Sequence, residues 1–184
     1  MTGTPSPKTS WGLASDRRST LRPWLGTLLF VAVLPGTVML YLPWALTGFQ
    51  LQAPLLGTGL TRVAGGLLLV VAIPLFLEFL WRFVEEGHGT PAPVAPTERL
   101  VVGGTFRRVR NPGYVAVVGI LLGEALLLGS VVLLAYAAGI WLLFHCFVLL
   151  YEEPTLRRQF GAEYEAYCRS VPRWLPRLKK GDGP

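Results

Sequence analysis

Cysteine and histidine are almost missing from this chain. Cys146 and Cys168, His88 and His145 are the only such residues in 184. The two cysteines fall in different surroundings, one inside an apolar run and one in a polar segment, so no disulfide is expected. The histidines stand singly and no Cys or His pair has ligand spacing, so no metal is expected either. Charge is scarce as well: 15% of residues are charged against 52% hydrophobic, and the mean hydropathy is +0.47. That balance excludes an ordinary soluble domain and places the chain among membrane proteins, with a length that suits one domain. The net charge of +6 does not indicate nucleic acid, because the basic residues sit beside apolar runs and form no stripe interleaved with aromatics. Membrane lipids, anionic headgroups above all, are the expected partner.

Long apolar runs are what the chain does have. Residues 1–22, rich in Ser, Thr, Pro and Arg, read as a mobile tail. Arg17-Arg18 precedes an apolar run, but no small-residue cleavage pattern follows Leu34, so the run reads as an uncleaved first span over about 24–46, with a kink at Pro35. The connection Thr47–Thr61 carries no charge. A second span is expected over about 62–84, with Pro74 and Glu78 inside it; Glu78 either has a specific role or simply snorkels to the headgroups. Residues 85–105, rich in Gly and Pro, read as a loop or irregular lid. The apolar stretch from Tyr114 to Tyr151 is too long for one crossing, and Gly129-Ser130 divides it into spans at about 112–128 and 131–153. These features describe an all-α membrane bundle of four spans: a single domain over 23–178, a helical hairpin, and a short tail at 179–184. With four spans, nearly every Lys and Arg except Arg62 falls on one side, which makes both termini cytoplasmic. A bacterial inner membrane is the expected location.

After the hairpin, Pro154 suits the first position of a further helix, on which Leu156, Phe160, Tyr164 and Tyr167 form an apolar stripe. This amphipathic helix, cytoplasmic in the four-span topology, either rests on headgroups or covers a site. Arg173 and Trp174 then read as an interfacial tether.

The chemistry concentrates at the ends of the hairpin. In Arg107-Arg108-Val109-Arg110-Asn111-Pro112-Gly113-Tyr114, Asn111 is a good N-cap and Pro112 a good first helical residue. Free backbone N–H groups beside three arginines make a site for a carboxylate or phosphate. The alternative is that the arginines merely flank a membrane helix. Glu152 and Glu153 close the other arm of the hairpin and should face Arg110, Asn111 and Tyr114, either around a ligand or as a salt bridge to Arg108 or Arg110. His145 lies two turns deeper, near the same face, where it either bonds a neighbouring helix or serves a ligand. Glu124, toward the outer half of the third helix, should be protonated or paired inside the bundle.

The order G-T-F-R-R-V-R-N-P-G-Y from Gly104, then Y-E-E-P-T-L-R-R-Q-F-G-A-E-Y-E-A-Y from Tyr151 and V-P-R-W-L-P from Val171, resembles the isoprenylcysteine carboxyl methyltransferase family, whose main features the phospholipid methyltransferases share. The resemblance covers roughly residues 87–178. It implies a membrane-embedded methyltransferase that binds S-adenosylmethionine at the cytoplasmic ends of its helices and takes a lipophilic acceptor from the bilayer. On that resemblance Arg110, Asn111, Pro112 and Tyr114 match the first motif, and Glu152, Glu153, Leu156, Phe160, Gly161, Tyr164 and Tyr167 the second. Arg110 and Glu152 become the candidate catalytic residues. Arg110, Asn111, Pro112, Tyr114, His145, Glu152, Glu153, Tyr164 and Tyr167 become the candidate cofactor-binding set. Asn111 stands where many relatives have histidine, so no base that titrates near neutral pH is expected there. Two other readings are an NADPH-dependent membrane enzyme of the sterol-reductase type and a non-enzymatic membrane scaffold.

Overall fold

The computed structural model describes residues 33–87 and 100–175. The expected N-terminal tail, residues 24–32 of the first span, most of the 85–105 loop and the C-terminal tail lie outside those residues. Within them the chain is helical, with no strand. In order come α1 (Val33–Thr47), α2 (Leu60–Gly87), α3 (Pro112–Leu128), α4 (Val131–Phe147) and α5 (Glu153–Ser170), with short 3-10 turns at Leu55–Gly57 and Gly104–Arg107. Segment Leu60–Arg82 of α2 and the continuous helix Val131–Ser170 are long and apolar enough to cross a membrane, while α1 and α3 are shorter apolar helices. The architecture is a membrane helical bundle.

Its packing follows membrane rules. The outward faces carry large apolar side chains, among them Leu67, Val70, Val71 and Leu77 on α2 and Val131, Leu142 and Leu150 on the α4 arm. Small residues fill the seam between α2 and α3. A Cβ on Gly65 would sit 2.6 Å from the Leu127 backbone nitrogen, and one on Gly123 would sit 2.7 Å from Leu69. Burial among lipid tails offers no hydrophobic driving force between helices, so close backbone approach of this kind supplies the attraction. α3 is the central helix, with Ala116 and Ala125 fully buried and Leu121 nearly so.

Two π turns shape the bundle, Thr37–Tyr41 in α1 and Val148–Glu152 between α4 and α5. Each ends two residues before a proline, Pro43 and Pro154 respectively. A proline ring clashes with the carbonyl four residues earlier and offers no N–H, and a widened preceding turn accommodates both faults. Thus the helix does not restart at Pro154 as the sequence suggested; it runs through, and the backbone departs from helical geometry at Gly161 (φ 50°, ψ −122°) instead.

The ends of the bundle are distinct. At one, the hairpin tip, Gln52 donates its backbone N–H to Leu128 O at 2.8 Å, and Arg62 donates to Gln52 O at 2.6 Å. At the other, the basic end, Thr105 donates its backbone N–H to Glu78 Oε1 at 3.2 Å, which gives Glu78 a specific role in anchoring the approach to α3.

Candidate functional site

Asn111 and Pro112 occupy the N-cap and first-turn positions of α3, yet the Asn111 side chain makes no capping bond. Its Nδ2 instead donates to Arg173 O at 3.2 Å, and the Arg110 backbone N–H donates to Pro172 O at 2.9 Å. The segment after α5 is therefore laid across this corner and takes the side chain that would have capped the helix.

The adjacent glutamates divide their work. Glu153, 3% exposed, accepts from Arg110 at 3.1 Å, from Arg157 at 3.2 Å and from Arg173 at 2.6 and 3.0 Å. Pairing with Glu153 raises Arg173 above its already high value. This is a buried carboxylate clasping three guanidiniums, and it includes the Arg110 bridge foreseen as one alternative. Glu152 faces elsewhere: it accepts from the Tyr114 hydroxyl at 2.9 Å. The π turn that ends at Glu152 governs how the two neighbours are presented, one to the clasp and one to α3.

Between α1, α2, α3 and α4 lies a cavity of about 400 Å³. Arg110, Asn111, Pro112, Tyr114 and Glu152 line its polar end, and Phe76, Phe79, Phe106, Phe144 and Phe147 supply much of its wall. Tyr114 and Phe144 pack with ring centroids 4.5 Å apart. Arg110 has a further unfilled capacity, since its Nε is buried with no hydrogen-bond partner among the described residues.

The remaining candidates lie apart from this cavity. His145 stacks on Trp141 at 5.3 Å and accepts from Trp174 Nε1 at 3.1 Å, so it holds the final segment down. Tyr164 is buried, and Tyr167 donates to Phe106 O at 2.7 Å. The non-helical backbone at Gly161 divides the predicted stripe, and its second half packs on the protein. Glu124 is partly buried with Oε2 unpartnered among the described residues. No group of three metal-ligating side chains occurs among the described residues.

Sequence reasoning missed the phenylalanine walls, because a phenylalanine in an apolar span looks the same whether it faces lipid or a cavity. It also treated Arg173 as a tether, when the V-P-R-W segment supplies a partner of Glu153. The nearest available signal was the V-P-R-W-L-P segment itself, which puts an arginine twenty residues after Glu153.

Compared with known families, residues 60–163 match the family model described as phospholipid methyltransferase. Neither a search of curated proteins nor one of solved structures returned a match.

Proposed function

Since this chain belongs to the phospholipid methyltransferase family and is a membrane methyltransferase, we propose that it transfers a methyl group from S-adenosylmethionine to a lipophilic acceptor, at the cavity of the basic end. The observation that carries this reading is the convergence of Arg110, Asn111, Tyr114 and Glu152 on one end of an otherwise aromatic and aliphatic cavity. The residues fit the cofactor. Arg110 and the start of α3, which both line the cavity, suit a carboxylate. The Glu152 carboxylate suits a hydroxyl or ammonium donor, and the phenylalanine faces suit a sulfonium. S-adenosylmethionine supplies an activated methyl group on that sulfonium, so the protein's part is to hold, align and dry the site. Tyr114 keeps Glu152 oriented through its 2.9 Å bond. A carboxylate acceptor needs no base. An amine or hydroxyl acceptor gives up a proton, and Glu152 is the carboxylate lining the cavity that can take it. Asn111 cannot. Arg107, Arg108, Arg110, Arg157, Arg158 and Arg173 gather near the basic end, which supports a cytoplasmic position for it in this reading.

Binding to detergent-purified protein tests the proposal. Saturable binding of S-adenosylmethionine and not of NADPH is expected, and Glu152→Gln or Tyr114→Phe should weaken it about tenfold or more, the effect of losing a charge-assisted contact. NADPH binding alone would favour a reductase, and binding of neither would favour a scaffold. Arg110→Ala is a poorer probe, because Arg110 also belongs to the clasp.

A further inference from the structure

The cavity has a floor, built one helical turn beyond its last lining residue on three helices. On α2, Phe76 lines the cavity and Ala72 is packed behind it at 3% exposure. On α3, Val117 lines it and Leu121 lies behind at 1%. On α4, Ile140 lines it and Ala137 lies behind, fully buried. With Met39 of α1 these residues form the main apolar cluster.

A side-chain hydrogen bond ties α1 to this floor. Inside the π turn the Leu42 N–H goes to Thr37 O. In that register the next donor, to Val38 O, would come from residue 43, which is a proline and has none. A carbonyl left unpaired among hydrocarbon is costly, and no water is at hand to replace the lost donor. The Tyr136 hydroxyl, one turn behind Ile140, donates to Val38 O at 3.0 Å. Val38 is the α1 lining residue furthest from the basic end, so the bond lies where the cavity stops.

We propose that Tyr136, through this bond, sets the length of apolar chain that an acceptor can place in the cavity. The inference rests on the reading that the cavity takes a lipophilic acceptor, and it adds a selection rule to that reading. From Glu152 to Ile140 the helix advances twelve residues, about 18 Å. A chain that ends short of Tyr136 fits. A longer one must break the Tyr136–Val38 bond or withdraw its reacting end from Glu152 and Tyr114. Tyr136 is a specificity residue in this scheme and does not touch the reacting atoms.

The test uses full-length protein in phosphatidylcholine nanodiscs and a ladder of n-alkyl amines carrying a terminal diazirine. Photolabelling of residues 34–38 and 140–147 is mapped by mass spectrometry. In the wild type, labelling of these residues should rise to an optimum chain length and then fall. Tyr136→Ala should move the optimum to longer chains and Ile140→Phe to shorter ones. If Tyr136→Ala does not fold, Tyr136→Phe, which removes only the hydroxyl that meets Val38 O, takes its place and should also admit longer chains. Labelling with no optimum, an optimum unmoved in a folded Tyr136 variant, or one unmoved by Ile140→Phe overturns the inference. S-adenosylmethionine binding measured on the same samples separates the two readings: an optimum without cofactor binding sinks methyl transfer alone, and cofactor binding without an optimum sinks the chain-length rule alone.

Discussion

At the scale of the residue, the two neighbouring glutamates should respond to the same substitution in different ways. Glu153→Gln removes the shared partner of three guanidiniums, of which Arg110 is itself 11% exposed. Breaking a buried pair from one side leaves an uncompensated charge and typically costs about 3 kcal/mol or more. Thermal unfolding in detergent should show that loss for Glu153→Gln, whereas Glu152→Gln should keep the wild-type midpoint and lose cofactor affinity. Equal loss of stability in both would mean that they form one structural unit. The sequence alone did not separate them: Pro154 is a reason for the preceding turn to widen, but it does not say which of two adjacent glutamates, about 100° apart on a helix, then faces α3. The pairing of Tyr114 with Glu152 and of Arg110 with Glu153 needed the packed hairpin. That the four residues would meet at all was legible, since the hairpin topology brings its two polar ends together.

At the scale of the element, the α2–α3 seam offers a paired test. Gly65→Ala would press a methyl group onto the Leu127 and Gly123 backbone, whereas a Cβ at its neighbour Gly66 meets nothing within 4 Å. Overpacking of this kind costs about 1–3 kcal/mol, so Gly65→Ala should lower the unfolding midpoint and Gly66→Ala should not. Equal effects would show that the seam can open to admit a side chain. The helices were readable from hydropathy, and the turn at Gly129-Ser130 from its glycine, which takes a positive φ of 74° with its would-be Cβ directed at the Ala53 carbonyl. What hydropathy could not show is the course of the chain after Glu153. Pro154 carries a start signal, but the π turn before it lets the helix continue past the proline, and the backbone departs from helical geometry at Gly161 instead.

At the scale of the whole molecule, the four-span reading expects the hairpin tip and the basic end on opposite sides of the bilayer. α2 alone, at 28 residues, extends about 42 Å, enough for its two ends to reach both surfaces. Reporter fusions placed after Pro184 and within the 47–61 connection should therefore give opposite signals, and matching signals would refute the hairpin. The amino-acid order brought this architecture within reach because lipid imposes one strict demand, that backbone groups be satisfied within helices. The cavity obeys no such demand and emerged only from packing. The clasp, finally, dictates an order of events during synthesis. Arg110 and Glu153 leave the ribosome well before Arg173, and the segment carrying Arg173 also supplies the carbonyls that hold Arg110 and Asn111. The membrane helices are thus made while the corner is unfinished, and the site reaches its final form only when nearly all the described chain has been born.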